Sequence, residues 1–234
     1  MSNQAEPAKV KICGIKEEAT LRGMDGQPVD YIGFVFAKSR RQLTLEQAGK
    51  LHAVSREIRM AGGTPPLTVG VFVNPTMEQL ADTLAAVKLD VVQLHGEETP
   101  TFCREVHDRF DVEVWRALPV TEAQTSGGEA EATDAEAGPA RLAAYAGAVS
   151  TILLDTAGGG TGIAFRWDVI PAYQNEAAKH GLKLFIAGGL SPDNAGELIA
   201  GYRPYGVDIS SGVETEGVKD NDKISAFAER VKRS

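Results

Sequence analysis

Of 234 residues only two are cysteine, Cys13 and Cys103, and they stand far apart. They form no metal-spaced or redox pair, and two lone thiols fit a reducing cytosol. Aromatic residues are 6% of the chain, and none is interleaved with a cluster of lysine and arginine. Net charge is −8 and the pI is near 5.1, so the electrostatic footprint of a nucleic-acid partner is missing. No apolar run approaches the roughly 18 residues that span a bilayer. The opening "MSNQAEPA" lacks the apolar centre of a secretory signal. The expectation is a cytoplasmic protein without membrane or nucleic-acid partners.

What is present is a 43% hydrophobic chain, rich enough in apolar residues to bury a full core. Eight short β-branched runs recur along it: "VKIC", "YIGFVF", "TVGVFV", "VVQLH", "EVWRAL", "TILLD", "KLFIA" and "GVDIS". Each is followed by helical spacing, best seen at Leu45, Ala48, Leu51, Val54 and Ile58 behind the N-cap candidate Thr44. The first helix, around "EEATLRGM", is weakly signalled, and "RLAAYAG" is expected to be the helix after the fifth run. Eight β-then-α units in this length predict a single-domain α/β fold, the (β/α)8 TIM barrel, over residues 9–234. An open doubly wound sheet is the alternative. Residues 1–8 are expected to be a disordered tail. The stretch 121–138, "TEAQTSGGEAEATDAEAG", has no apolar periodicity and is expected to be a flexible insertion after the fifth strand.

Alternation of side chains along a strand then sorts the polar residues. Sending Val10 and Ile12 outward turns Lys9, Lys11 and Cys13 inward, and the same rule turns Gln93, His95, Asp155 and Asp208 inward. Cys13, His95 and Asp155 fall at the C-terminal ends of their strands, where barrel enzymes build their sites. A strand cysteine is by type most often a buried hydrophobe, and Cys103, on one helical stripe with Phe102, Val106 and Phe110, reads as that. Cys13 differs because polar inward residues on several strands converge with it.

Glycine-rich loops follow the last three strands: "TAGGGTG" with Gly159 and Gly160, "AGGLSPDN" with Gly188 and Gly189, and "SSGVETEGVKD" with Ser210, Ser211 and Gly212. Three such loops in succession on that face predict a phosphate cradle. After the second strand, "AKSRRQLT" carries Lys38, Arg40 and Arg41, and the guanidinium fork suits a carboxylate. Together these offer a thiol, a carboxylic acid, a phosphate cradle and an anion clamp.

The segments "KICGI", "GFVFAKSRR", "VGVFVN", "VQLHGEE", "AGGLSPDN" and "VDISSGVE" closely resemble the phosphoribosylanthranilate isomerase family of tryptophan biosynthesis, from Lys9 to the C-terminal helix. "KICG" separates the chain from the similar histidine-pathway isomerase, which ends strand one on aspartate. The resemblance implies an Amadori rearrangement of N-(5′-phosphoribosyl)anthranilate to 1-(2-carboxyphenylamino)-1-deoxyribulose 5-phosphate, without metal or organic cofactor. By motif position it implies Cys13 as general base, Asp155 as general acid and Arg41 as partner of the anthranilate carboxylate. Gln93, His95 and Asp208 are expected to touch this small phosphosugar, and Lys11 to favour the Cys13 thiolate. The 121–138 insertion lies outside the family pattern. Two other functions stay open here: a dual-substrate isomerase that also takes the histidine-pathway aminoaldose, and a non-catalytic phosphate-binding barrel. A monomer or a homodimer is expected.

Overall fold

The computed structural model describes residues 6–120, 138–156 and 165–234. Eight parallel strands close into a barrel in sequence order: β1 (Lys9–Cys13), β2 (Tyr31–Val35), β3 (Leu67–Phe72), β4 (Val91–Leu94), β5 (Glu113–Val120), β6 (Thr151–Thr156), β7 (Lys183–Ile186) and β8 (Gly206–Ile209). Closure is made by β8 pairing with β1, where Lys11 lies opposite Asp208 and Ile12 opposite Ile209. An open doubly wound sheet is thereby excluded.

Helices α1 (Glu18–Gly23), α2 (Leu45–Glu57), α3 (Met77–Ala86), α4 (Pro100–Phe110), α5 (Ile170–Lys179), α6 (Ala195–Tyr202) and α7 (Asn221–Arg233) surround the strands. Thr44 and Thr76 each open a helix with a reciprocal capping box, taking the N–H of Gln47 and Gln79 and receiving their side chains in return. Thr99 caps α4, with Pro100 at the first helical position. After β5 the expected α-helix is instead a 3-10 helix, Pro139–Tyr145. Only Leu142 of it is fully buried, so no apolar stripe drives a full α-helix there.

Strand parity is uninterrupted, and it divides the core. Outward residues such as Val10, Ile12, Ile32, Phe34, Val92, Leu94, Ile152, Leu154, Val207 and Ile209 pack beneath the helices. Inside, Tyr31, Trp115 and Phe185 fill the lower barrel with ring centroids 4.7–5.8 Å apart. A side chain at position 206 would meet the Phe185 ring at 2.5 Å, so β8 begins on glycine. Above this apolar plug the inward residues turn polar.

Candidate active site

At the C-terminal end of β1 the thiol of Cys13 sits against Val35 and Val71. Its cross-strand partner is Gly33, where a Cβ would fall 2.9 Å from Sγ and 3.0 Å from the Cys13 Cα. Behind it Gly14 adopts φ +81°, and a Cβ there would meet Cδ of Arg41 at 2.4 Å. Both glycines around the thiol are therefore set by contact. Gly14 makes room for the arginine, not only for whatever enters the mouth.

Lys11 is fully buried one turn of the pleat below Cys13 and donates to Asp208 Oδ1 at 3.0 Å. Burial works to lower its ammonium, but Asp208 and Cys13 together outweigh that and leave it raised. Burial likewise pushes the Cys13 thiol up, and the pull of Lys11 in the other direction does not overcome it. The expected preference for the thiolate is thus not realised in this geometry. Lys11 is shared between Asp208 and Cys13, and a desolvated sulfur is costly to ionise.

Across the mouth, β4 and β6 present a second array. Gln93 Nε2 lies 3.2 Å from His95 Nδ1, and His95 Nε2 lies 3.3 Å from Asp155 Oδ2. Asp155 Oδ1 accepts the Thr156 N–H at 2.8 Å. If the Gln93 amide donates, His95 carries its proton on Nε2 and offers it to Asp155, a tautomer set by hydrogen bonding. The Gln93 Oε1 atom is buried without a protein partner.

Two of the three glycine loops are described. Gly188 and Gly189 take φ +81° and +63°, and Asn194 ties this loop by donating to the Gly189 carbonyl and accepting the Ser191 N–H. A Cβ at Gly188 would lie 2.3 Å from Thr156 Oγ1 and 2.9 Å from Asp155 Oδ1. A Cβ at Gly212 would lie 1.9 Å from the Leu190 carbonyl, so the loops after β7 and β8 touch. Ser210, Ser211 and Gly212 lead into the single 3-10 turn Ser211–Val213. Backbone N–H groups of two abutting loops are a suitable lining for an anion. Gly159 and Gly160, like the insertion over 121–137, lie outside the described residues.

Arg41 is held from the far side. Glu214 accepts from its Nε at 2.8 Å and its Nη2 at 3.0 Å, while also accepting from Arg40 at 2.7 Å and Lys219 at 2.7 Å. Sequence reasoning missed Glu214 and Lys219. They face one another across a two-stranded hairpin, β9 (Glu214–Thr215) and β10 (Val218–Lys219), whose turn residues Glu216 and Gly217 have φ +53° and +83°. The "EG" between "VET" and "VK" was a usable hairpin signal.

A further missed group supports the His95 loop from outside. The guanidinium of Arg116, outward on β5, donates to the carbonyls of Leu94, Gly96, Ala117 and Glu98 and pairs with the Glu98 carboxylate at 3.4 Å. Glu98 in turn accepts the N–H groups of Asn74 and Gly96. This buried node ties the loops after β3 and β4 to β5 and fixes the exit of β4 that carries His95.

Among the described residues no cluster of three His, Cys, Asp or Glu suits a metal ion, and no helix is long and apolar enough to cross a membrane. The family model "N-(5'phosphoribosyl)anthranilate (PRA) isomerase" matches residues 10–230. A relative from Brevibacillus brevis, an N-(5'-phosphoribosyl)anthranilate isomerase, is 47% identical, with 96% of this chain and 93% of that one covered. One of the same name from Listeria welshimeri is 43% identical, covering 95% and 98%. The fold superposes on the phosphoribosylanthranilate isomerase of Thermotoga maritima with TM-score 0.76 at 34% identity, over 97% of this chain and 100% of the other. A second structure of such an isomerase, bound to reduced 1-(o-carboxyphenylamino)-1-deoxyribulose 5-phosphate, matches with TM-score 0.72 at 33% identity over 97% and 100%. On the family model and these full-length likenesses together, the chain belongs to the N-(5'-phosphoribosyl)anthranilate isomerase family.

Proposed function

We infer that this protein isomerises N-(5′-phosphoribosyl)anthranilate to 1-(2-carboxyphenylamino)-1-deoxyribulose 5-phosphate in tryptophan biosynthesis. The observation that carries this reading is family membership joined to an intact inward set, Cys13 and Asp155, on strands β1 and β6 of the same mouth. A barrel that had lost its chemistry would not be expected to keep both.

The substrate has three handles, and each has a counterpart. Its phosphate is assigned to the loops of Gly188, Gly189, Ser210, Ser211 and Gly212, with Gly159 and Gly160, which follow β6 in the sequence, assigned to it on their motif alone. Its ring carboxylate is assigned to Arg41, and its ribose to the floor formed by Gln93, His95 and the Lys11–Asp208 pair. Asp155 hands a proton to the ribose ring oxygen as the C1–O bond breaks, and the ring opens to an iminium. That cation acidifies the C2–H, and the Cys13 sulfur takes the proton. The resulting enolamine becomes the aminoketone as the C2 hydroxyl loses a proton and C1 gains one. Atoms and electrons balance within the substrate, so the steps call on no redox partner.

Lys11 and the iminium share one part. Each places positive charge near a buried sulfur that burial alone keeps protonated. Thiolate formation is thereby tied to the presence of the open-ring intermediate. The two unpaired buried thiols agree with work in a reducing cytoplasm. The deciding experiment mixes purified protein with phosphoribosylanthranilate and follows its loss, with the histidine-pathway aminoaldose in parallel. Turnover of the first is expected. Turnover of the second alone would overturn the assignment.

A further inference from the structure

The β9–β10 hairpin stands outside the barrel, yet it holds two buried charges against the site. Glu214 and Lys219 are register partners, their charged atoms are 2.7 Å apart, and their side chains are 5% and 4% exposed. Two outside ties fasten the hairpin. Lys223 of α7 donates to the Glu214 carbonyl at 3.0 Å, and Thr215 donates to Asp220, the cap of α7, at 2.7 Å.

The way Glu214 grips Arg41 is specific. It takes Nε and Nη2, the side edge of the guanidinium, and so leaves the end edge formed by Nη1 and the second Nη2 proton. A second carboxylate can fork onto that end edge without displacing the first. Glu214 does not neutralise the clamp, because Arg40 and Lys219 share the same carboxylate. One negative charge is set among three positive ones. Burial works to raise the Glu214 carboxyl, but hydrogen bonds from Arg41 and Lys219 outweigh it and hold it below the ordinary value.

Lys219 extends the connection to the reacting end. Its ammonium donates to the Ser210 carbonyl at 2.8 Å and to the Ser210 hydroxyl at 3.3 Å, and that hydroxyl donates to the Cys13 carbonyl at 3.0 Å. Arg41, Glu214, Lys219, Ser210 and the Cys13 backbone are thus one unbroken chain of polar contacts.

We propose that Glu214, seated on Lys219, is a positioning residue for substrate selection: it fixes the side edge of Arg41 so that the end edge receives the aromatic carboxylate. The proposal rests on the reading of Arg41 as the carboxylate clamp. No contact with substrate is assigned to either hairpin residue; both line the cavity that Arg41 enters.

The test compares two ligands by calorimetry: reduced 1-(o-carboxyphenylamino)-1-deoxyribulose 5-phosphate and the same molecule lacking the ring carboxyl. In Glu214→Gln the first should bind about tenfold more weakly, because the charged partner that orients the guanidinium is gone. The second should bind within about twofold of the parent, and KM should rise much more than kcat falls. In an Arg41→Met background the Glu214→Gln change should have no further effect on the difference between the ligands. Equal weakening of both ligands by Glu214→Gln, or a full additive effect in the Arg41→Met background, would overturn the proposal and leave the hairpin a structural brace. If Arg41→Met itself fails to separate the ligands, the clamp reading falls instead. Should Glu214→Gln not fold, Lys219→Met, which frees Glu214 from its seat, must give the same selective loss or the proposal fails.

Discussion

Cys13 and Asp155 lie on opposite arrays of the mouth, and each has a different dependence on its surroundings. Cys13→Ser keeps the shape but exchanges a thiol for an alcohol that does not ionise near neutral pH, and Asp155→Asn removes the transferable proton. Each should lower kcat by roughly 10²–10⁴ with product-analogue affinity little changed, read by steady-state kinetics and calorimetry. Because burial raises the thiol above its ordinary 9.0, its ionisation is displaced into the alkaline range. The kcat/KM of the parent should climb with it, and the serine variant should lose that climb. Gly188→Ala should also be inactive, since the new methyl has a left-handed backbone to fit and meets both Thr156 and Asp155. At this scale the sequence was partly legible. Parity alone turned Cys13, Gln93, His95, Asp155 and Asp208 inward, because no bulge interrupts those strands. The protonation of Cys13 was not legible, because it depends on how Lys11 is shared between Asp208 and Cys13 and on how much water is removed.

Among the elements, seven of the eight strands were readable to within a residue at either end, since each is a short apolar run bounded by turn residues, and β5 runs two residues past its apolar run. The β9–β10 hairpin offered only its "EG" turn, because two-residue strands leave no periodicity to detect. The 3-10 segment after β5 was not readable, because its alanines have helical propensity but no stripe to bury. The Arg116–Glu98 node was hidden for a different reason. An arginine in an outward strand position reads as solvent-facing until the loop carbonyls around it are known. Arg116→Met should strip those carbonyls of donors and strand the Glu98 charge, at a cost of about 3–5 kcal/mol in urea unfolding. The hairpin has its own signature. Glu214 is held below its ordinary value of 4.5, so its contribution to stability is complete above that range and is lost as pH falls through its folded value. The stability difference between the parent and Glu214→Gln should therefore be large at pH 7 and should shrink toward pH 3.

For the molecule as a whole, the barrel divides into a lower half that holds it together and an upper half that reacts. Tyr31, Trp115 and Phe185 form the lower plug, and no residue of the proposed chemistry belongs to it. Trp115→Ala should cost about 3–5 kcal/mol of stability, while kcat of the molecules still folded at low temperature changes little. A proportionate loss of kcat would show that the two halves are coupled.

The two cysteines also mark two layers of the same barrel. Cys13 lies inside it near the mouth, and Cys103 lies on the buried face of α4 in the outer shell, both buried. Burial raises the second thiol as well, to about 11. Neither should react at an appreciable rate with a bulky alkylating reagent while its layer is closed. Labelling then becomes a clock for opening. A Cys103 that is trapped first means that α4 peels from an intact barrel, whereas equal rates mean that shell and barrel come apart together. Substrate should slow only the Cys13 clock if opening is local, and both clocks if the barrel opens as one.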